Sequence, residues 1–318
     1  MRAVQIREFG GPDALEVTQD APVPEPGEGE VLIDVSRAGV NFADIHARED
    51  AYVAKYELPF TPGAEVAGVR RDTGERVVAL TDTGGYAECA VAPATRVFPV
   101  PDALEDGVAL ALLIQGLNAW HLYRTAGRVR AGESVVVHGA AGGVGSLCVQ
   151  LGRPLGAGRV IATASSEEKR ALAVELGADA AVDSAPDGLR ERLLEANGGN
   201  PVDVVFEIAG GRVFDESIEA LAPFGRIVVN GIASREQNEV RTGRLLRRSW
   251  SVVGFWLMHC LDRRELIEEP LADLFGRASR GELQPQAATT YPLSEVRRAH
   301  EDLAGRRTQG KLLLDPSS

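Results

Sequence analysis

A glycine-rich run in the middle of the chain carries the clearest chemical signal in the sequence. The segment from Ser134 to Val137 is apolar, and Gly139, Gly142 and Gly145 follow it at three-residue intervals. Glycine allows a tight turn and a close approach of the backbone to a ligand, and the free N–H groups at the start of a following helix attract anions. This order of strand, glycine turn and helix predicts a site for the pyrophosphate of a dinucleotide.

The same run has an alternative interpretation, in which the glycines only let a helix pack closely on a strand and no ligand binds. Two later segments, Phe206 to Gly210 and Val229 to Gly231, also end apolar runs with small residues. Because the carboxyl ends of parallel strands meet at one edge of a sheet, these segments would lie beside the glycine run. Three such strand ends together favour a ligand site.

The residues after the next predicted strand indicate which dinucleotide would bind. In dinucleotide folds, an acidic residue about 20 positions past the glycines usually binds the ribose 2′-hydroxyl. Here no acidic residue ends the strand. Ser165 stands at the strand end, and Lys169 follows Glu167 and Glu168. A hydroxyl and an ammonium favour the 2′-phosphate of NADP(H). Ser165 could instead cap the next helix, whose dipole the two glutamates would complement, and both roles are compatible.

Length and composition limit the class of protein. A chain of 318 residues exceeds the usual size of one hydrophobic core, so two domains are expected. The chain is 44% hydrophobic and 25% charged, and no apolar run reaches the roughly 18 residues of a membrane span. The first residues lack the pattern of a signal peptide, which predicts a soluble, cytoplasmic protein without a membrane partner. A net charge of −12 argues against nucleic acid as a partner.

The order of predicted elements changes near residue 119. Before it, short β-rich runs alternate with turns, which predicts a β-barrel-like domain: 1–7, 16–18, 31–38, 65–70, 75–80 and 85–91. After it, strands and helices alternate, which predicts an α/β domain with a doubly wound parallel sheet. A last strand, Leu312 to Leu314, is expected to return to the first domain. Cys89, Cys148 and Cys260 are far apart and are interpreted as small buried apolar residues.

Six motifs, spread over essentially the whole length, resemble those of one family. The chain is similar to the zinc-independent quinone oxidoreductases of the medium-chain dehydrogenase/reductase superfamily. The matching segments are Gly39–Asp44 (GVNFAD), Pro59–Gly68 (PFTPGAEVAG), Gly84–Glu88 (GGYAE), His138–Ser146 (HGAAGGVGS), Gly254–Leu257 (GFWL) and Arg306–Lys311 (RRTQGK).

The resemblance implies a fold and a cofactor. It implies a GroES-like β-barrel domain built from residues 1–118 and 288–318, and a Rossmann domain over residues 119–287. NADPH is expected in the cleft between the two domains, and a homodimer is the common assembly.

The resemblance also implies site residues. Those for the cofactor are Asn41, Asp44, Gly142, Gly143, Val144, Ser165, Lys169, Asn230, Gly231, Phe255, Leu257 and Arg306. Alternatives stay open for several of them: Asn41 and Asp44 could form a turn, Phe255 and Leu257 could be core residues, and Arg306 could be a solvated charge.

The residue types at two positions predict an enzyme without a metal. In zinc-dependent relatives, a cysteine stands at the position of Asn41 and a histidine at that of Ala64. Neither substitute binds zinc well. The five histidines of the chain show no paired ligand spacing either.

A reductase without a Lewis acid needs an acceptor that delocalises the charge of the incoming hydride. We therefore expect hydride transfer from NADPH to a quinone or to an α,β-unsaturated carbonyl, with Asn41 and Tyr52 as catalytic candidates. Tyr52 could protonate the substrate or anchor its oxygen, or it could be an ordinary aromatic residue of its loop. Two alternatives stay open for the protein: an enoyl reductase of a biosynthetic pathway, and a non-catalytic NADPH-binding structural protein.

Overall fold

A computed structural model describes residues 1–51, 54–261, 263–286 and 289–318. The strands are β1 (Ala3–Gln5), β2 (Glu16–Thr18), β3 (Glu30–Val40), β4 (Glu65–Arg70), β5 (Arg76–Leu80), β6 (Cys89–Pro93), β7 (Val97–Pro99), β8 (Ser134–Val137), β9 (Arg159–Ala164), β10 (Ala180–Asp183), β11 (Val202–Glu207), β12 (Leu221–Val229), β13 (Ser251–Gly254), β14 (Thr289–Pro292) and β15 (Leu312–Asp315).

The α-helices are α1 (Phe42–Arg48), α2 (Asp106–Ala111), α3 (Leu117–His121), α4 (Gly143–Gly152), α5 (Glu167–Glu175), α6 (Leu189–Ala196), α7 (Gly211–Glu219), α8 (Thr242–Arg248), α9 (Glu265–Ser279) and α10 (Val296–Ala304). Two π-helical turns, Leu112–Gly116 and Leu122–Ala126, follow α2 and α3. Short 3-10 turns lie at Pro12–Ala14, Ala94–Arg96, Leu257–Cys260 and Leu293–Glu295.

The chain divides into two compact units. Unit 1 contains residues 1–114 and 261–318, and unit 2 contains residues 115–260. The sequence pattern predicts domain boundaries at 118 and 287, which would put α9 in the second domain. In the structure α9 is part of unit 1. The pattern of a helix does not say which domain it covers, and α9 follows the last strand of the parallel sheet rather than linking two of its strands.

Unit 1 is built on a seven-stranded sheet in which β3 is the central element. Its order is β14-β15-β3-β4-β5-β7, and β6 also pairs with β3. β15 runs antiparallel to the end of β3, with Leu312 opposite Val40, so the end of the chain returns to the first domain as expected. Alternating apolar residues of these strands form the core, among them Ile33, Val66 and Val77.

Unit 2 contains a parallel sheet of six strands in the order β10-β9-β8-β11-β12-β13. Counted from β8, this is the order 3-2-1-4-5-6 of doubly wound dinucleotide-binding sheets, which confirms the predicted fold class. The central strands β8, β9 and β11 are mostly buried, and Val136, Ile161 and Val205 lie in one core with residues of α6 and α7. Ligands bind such sheets at the carboxyl ends of the strands, where the order reverses between β8 and β11.

Candidate functional site

The turn between β8 and α4 is closed tightly by backbone contacts. Gly142 N donates to Gly139 O at 2.9 Å, and Ala140 N donates to Thr163 O of β9 at 3.1 Å. Gly139 has a φ of +63°, which favours glycine. A Cβ atom on Gly145 would lie 2.2 Å from Gly139 O, so no side chain fits there. The glycine spacing therefore reflects a backbone that folds onto itself.

This turn leads directly into the N-terminus of α4. Gly142 is the N-cap residue with extended backbone, and Gly143 and Val144 form the first turn of a ten-residue helix. The first N–H groups of a helix have no intrahelical partners, and they lie at the positive end of the helix dipole. Together with the glycine turn, they form a cradle that fits a pyrophosphate.

The remaining predicted residues of unit 2 follow the carboxyl ends of neighbouring strands. Parallel pairing aligns β8 with β9, β11 with β12 and β12 with β13, and Val229 lies opposite both Glu207 and Gly254. The structure therefore brings the predicted cofactor residues of unit 2 to one edge of the sheet: Gly142, Gly143, Val144, Ser165, Lys169, Asn230, Gly231, Phe255 and Leu257.

The end of β9 differs from the capping alternative in one respect. The N-cap of α5 is Ser166, whose Oγ accepts a hydrogen bond from Lys169 N at 3.3 Å. Capping by Ser165 was therefore wrong by one residue, since Ser166 has the extended backbone that a cap needs. Ser165 is exposed directly after the strand, and Lys169 is half-buried in the first turn of α5.

Arg170 is a cation at this strand end that the sequence analysis missed. Its Nη1 atom donates to Ala164 O at 3.2 Å and to Asp183 Oδ2 at 3.3 Å. These bonds fix a positive charge beside the last residue of β9. Its place next to Lys169 in the sequence was the available signal.

His138, the residue directly after β8, links this strand to β9 and α7 by hydrogen bonds. Ser217 Oγ donates to Val213 O at 2.6 Å, so Ser217 Oγ accepts from His138 Nε2 at 2.8 Å. Nδ1 then accepts from Thr163 Oγ1, also at 2.8 Å. Burial lowers the pKa of His138 to about 4, which keeps the ring neutral. The network joins β8, β9 and α7.

Glu207 shapes the loop that follows β11. Its Oε1 atom accepts from Ala209 N at 2.8 Å and from Gly210 N at 2.9 Å. Oε2 is buried and has no hydrogen-bond partner among the described residues. Burial raises the pKa of this carboxyl group. Glu207 therefore orders the backbone at the centre of the sheet edge.

Phe255 is fixed at the end of β13 by its backbone and its ring. Its N–H group donates to Val229 O at 3.0 Å, and its ring lies 5.5 Å from that of His121 on α3. Leu257, two residues later, is buried. Both side chains thus have defined positions at the sheet edge.

In unit 1, Asn41 and Asp44 begin helix α1. Asn41 is the N-cap residue, and its N–H group donates to Asp44 Oδ2 at 2.8 Å. Both side chains are buried. These residues therefore form the turn that starts helix α1, because the Asp44 carboxylate accepts from the Asn41 N–H group.

Asn41 also contacts a buried ion pair that the sequence analysis did not identify. Lys311 Nζ bonds to Glu65 Oε1 and donates to Asn41 Oδ1 at 2.8 Å, and Asn41 Nδ2 donates to Glu65 Oε1 at 3.0 Å. A Cβ atom on Gly39 would lie 2.5 Å from Glu65 Oε1, so this glycine leaves room for the carboxylate. The pairing of β3 with β4 and β15 brings together the three sequence motifs that contain Asn41, Glu65 and Lys311.

A chain of hydrogen bonds continues from Asp44 to Arg48. Arg48 Nη1 donates to His300 Nδ1 at 3.3 Å, so His300 Nε2 carries a hydrogen and donates to Tyr86 OH at 3.2 Å. Tyr86 OH donates to Asp44 Oδ2 at 3.0 Å. Burial and the charge of Arg48 lower the pKa of His300 to about 3. Burial raises the pKa of Tyr86 well above its usual value and that of Asp44 to about 6.

Asp44→Asn should change how the free energy of unfolding depends on pH. The raised pKa of Asp44 stabilises the folded protein fully below the ordinary pKa of 3.8, and this contribution is lost as the pH rises through about 6. The introduced asparagine can accept the same two hydrogen bonds and does not titrate. Relative to wild type, the variant should therefore gain roughly 3 kcal/mol between pH 4 and pH 8. Urea unfolding at several pH values measures this.

Asp13→Asn is the matched control, because its side chain is 99% exposed. Its unfolding free energy should run parallel to that of wild type. His138 and His300 titrate in all three proteins, so their effect cancels in the difference. A constant difference between Asp44→Asn and wild type would contradict the prediction.

Two predicted residues remain outside these clusters. Arg306 lies in unit 1 in the loop after α10, with a φ of +54°. Tyr52, the candidate proton donor, lies outside the residues that the structure describes. Its role stays a prediction.

The donor atoms around Asn41 do not fit a zinc ion. Ala64 offers no ligand atom, and the Asn41 oxygen accepts from the Lys311 ammonium, a positive charge that disfavours a second cation. Within the described parts of the chain, no three His, Cys, Asp or Glu residues are grouped so that they could hold a metal ion. Nor does any helix in those parts have both the length and the apolar composition to cross a membrane.

Comparisons with known proteins place this geometry in a family. Residues 27–102 match the family model described as alcohol dehydrogenase GroES-like domain, and residues 143–275 match the one described as zinc-binding dehydrogenase. The quinone oxidoreductase of Rattus norvegicus is 32% identical over 99% of this chain and 97% of its own. The 2-haloacrylate reductase of a Burkholderia species is 33% identical over 99% of both chains.

Solved structures agree with this result. The quinone oxidoreductase of Thermus thermophilus, described with its complex with NADPH, has a TM-score of 0.88 and 38% identity over 99% of this chain and 100% of its own. The two units thus correspond to a GroES-like domain and a Rossmann domain. The chain belongs to the quinone oxidoreductase family of the medium-chain dehydrogenase/reductase superfamily.

Proposed function

We propose that this protein reduces a quinone or a conjugated carbonyl compound by hydride transfer from NADPH, without a metal ion. The observation that carries the proposal is the sheet edge of unit 2, where a glycine turn and the N-terminus of α4 adjoin Ser165 and Lys169. This edge fits a pyrophosphate and a 2′-phosphate. The family relationship supports the same assignment, since the Thermus relative is described in complex with NADPH.

Each group of residues has a proposed task. Gly142, Gly143 and Val144 bind the pyrophosphate, and Ser165 and Lys169 bind the 2′-phosphate. Asn230 and Gly231 line the sheet edge, and Phe255 and Leu257 exclude water beside the nicotinamide. Three residues of unit 1 also bind the cofactor: Asn41, Asp44 and Arg306.

The bound NADPH supplies the hydride. The chain holds the reactants at a reactive distance and stabilises the charge that develops on the acceptor oxygen. A quinone or an enone spreads this charge over conjugated bonds, so hydrogen-bond donors such as the Asn41 amide can replace a metal. Tyr52 is the proposed proton donor. The 33% sequence identity of this chain to a 2-haloacrylate reductase supports a conjugated acceptor.

The oxidation of NADPH, followed at 340 nm, tests the proposal. The purified protein is mixed with NADPH and a quinone, and in parallel with an enone, each with and without excess chelator. We expect turnover with at least one acceptor and no effect of the chelator. Saturable NADPH binding without turnover of either acceptor would favour a non-catalytic protein, and turnover of enones alone would favour an enoyl reductase.

Lys169→Ala should weaken NADPH binding much more than NADH binding. An ammonium in contact with the 2′-phosphate contributes about 1.5–3 kcal/mol, which corresponds to roughly 10- to 100-fold in Kd. NADH lacks this phosphate, so its Kd should change less than about threefold. Fluorescence titrations with both cofactors measure the two constants. Equal weakening of both would count against the assignment of the 2′-phosphate.

We also propose a cytoplasmic homodimer. β13 is an edge strand of its sheet, and its outer backbone groups can pair with a strand of a second copy. Cys89 and Cys148 are free and buried thiols, which agrees with a reducing compartment. Light scattering should give the mass of two chains of 33.9 kDa, and the mass of one chain would contradict the dimer.

A further inference from the structure

The Asn41 side chain lies between two groups of opposite hydrogen-bonding character. Lys311 Nζ donates to its Oδ1 atom at 2.8 Å, and its Nδ2 atom donates to Glu65 Oε1 at 3.0 Å. An ammonium only donates and a carboxylate only accepts. Turning the amide over would place its NH₂ group against the ammonium and its oxygen against the carboxylate. The amide therefore has one favourable orientation.

The two charged groups are themselves fixed. The side chains of Lys311 and Glu65 are 2% and 0% exposed. The ammonium has three acceptors, Asn41 Oδ1, Glu65 Oε1 and Val40 O, which match its three hydrogens. Glu65 Oε2 accepts from Ile114 N at 3.3 Å. Neither group can rotate away from Asn41 without losing contacts that water does not replace.

Stability alone does not account for such a pair. Removing two charges from water is costly, and apolar residues of similar volume often stabilise a fold as well as a buried ion pair does. The pair has one property that apolar residues lack, because it distinguishes the oxygen of Asn41 from its nitrogen. Fixing the orientation of the Asn41 amide is useful only if that amide acts on a bound molecule.

We propose that Lys311 and Glu65 are positioning residues, which orient the Asn41 amide toward the nicotinamide end of the cofactor. Lys311 draws electron density from Oδ1 and so makes the Nδ2 hydrogens stronger donors. In the proposed function Asn41 is the group that acts on the reactants, and the pair acts through it. This inference rests on the proposed function for the role of Asn41, whereas the orientation of the amide can be measured independently.

The decisive variant is Glu65→Gln combined with Lys311→Met, which removes both charges together. The introduced glutamine can pair with Asn41 in either direction, so the orientation is no longer set. We expect kcat for NADPH oxidation to fall at least about tenfold, the scale expected for a misplaced reacting group. The KM for NADPH should change less than about threefold, because the phosphate contacts in unit 2 are untouched.

One control separates orientation from general loosening. Glu133→Gln with Arg226→Met removes an ion pair of unit 2, between Arg226 Nη2 and Glu133 Oε2 at 2.5 Å. This control should keep the wild-type kcat.

The side-chain amide of Asn41 gives a readout that does not depend on activity. Its ¹H–¹⁵N resonances can be assigned by their loss in Asn41→Ser. In wild type they should persist after transfer to D₂O, and in the double variant they should shift and exchange faster. A double variant with wild-type kcat and unchanged resonances would overturn the inference. If the double variant does not fold, rapid hydrogen exchange of the Asn41 side-chain amide in wild type would overturn it. Absence of any NADPH oxidation by wild type would refute the proposed function, and the resonances would still decide the orientation.

Discussion

Replacing Gly145 by alanine should reduce the affinity for NADPH by roughly 10- to 100-fold, the loss expected when an N–H bond to a charged phosphate is broken. A Cβ atom at this position would lie 2.2 Å from Gly139 O and 2.8 Å from Ala140 Cα. Both are backbone atoms, so the turn itself must move. The N–H groups that form the pyrophosphate cradle move with it. Fluorescence titration with NADPH measures the loss.

Gly243→Ala is the matched control for this substitution. Gly243 also lies in a helix of unit 2, and a Cβ atom there would meet nothing within 4 Å. This variant should bind NADPH like wild type. Circular dichroism of Gly145→Ala checks that the sheet has formed, and binding of NADPH by that folded variant at wild-type affinity would refute the assignment of the cradle.

Lys311→Met should destabilise the protein by about 3–5 kcal/mol, the usual result of removing one partner from a buried ion pair. Glu65 is fully buried and would lose the ammonium that bonds to it. Asn41 Oδ1 would lose a donor at the same time. Urea unfolding followed by circular dichroism gives the free energy of unfolding.

The double variant with Glu65→Gln should recover most of this loss, because the uncompensated charge is removed. A cycle of wild type, two single variants and the double variant yields the coupling between the two residues. If Lys311→Met cost less than about 1 kcal/mol, the pair would behave like a solvent-exposed one, and the buried network would be wrong.

Much of unit 2 could be predicted from local sequence signals. Apolar runs and glycines placed β8 at Ser134–Val137 and the turn after it, because both the strand period and the glycine requirement are local properties. The doubly wound parallel sheet followed from the alternation of strands and helices. The predicted cap of α5, Ser165, was wrong by one residue, because the cap is Ser166. Helix ends predicted from a sequence pattern are usually uncertain by this amount.

The polar network of unit 1 could not be predicted in this way. Glu65 and Lys311 are 246 residues apart, and Tyr86 and His300 are 214 residues apart. The contact of Glu65 with Lys311 depends on the registers of β3 with β4 and β15, which no local pattern encodes. The sequence motifs marked Asn41 and Asp44 as candidates. They did not reveal which side chains hold Asn41 in place.

Helices in the first part of the chain were also missed. Helix α1 begins at Phe42 and has only seven residues, and α2 is followed by a π-helical turn that breaks the regular period of a helix. Helix α2 depends on packing against β3 and β4, and helix α1 begins at the cap formed by Asn41 and Asp44.

The central claim, that this chain transfers a hydride from NADPH without a metal, is tested most directly by one measurement. NADPH deuterated on the transferred position at C4 is mixed with the purified protein, an enone and excess chelator, and the product is analysed by mass spectrometry. The account predicts one deuterium per product molecule, bound to carbon, at a rate that the chelator does not change. A product without deuterium, or no reaction until zinc is restored, would contradict it.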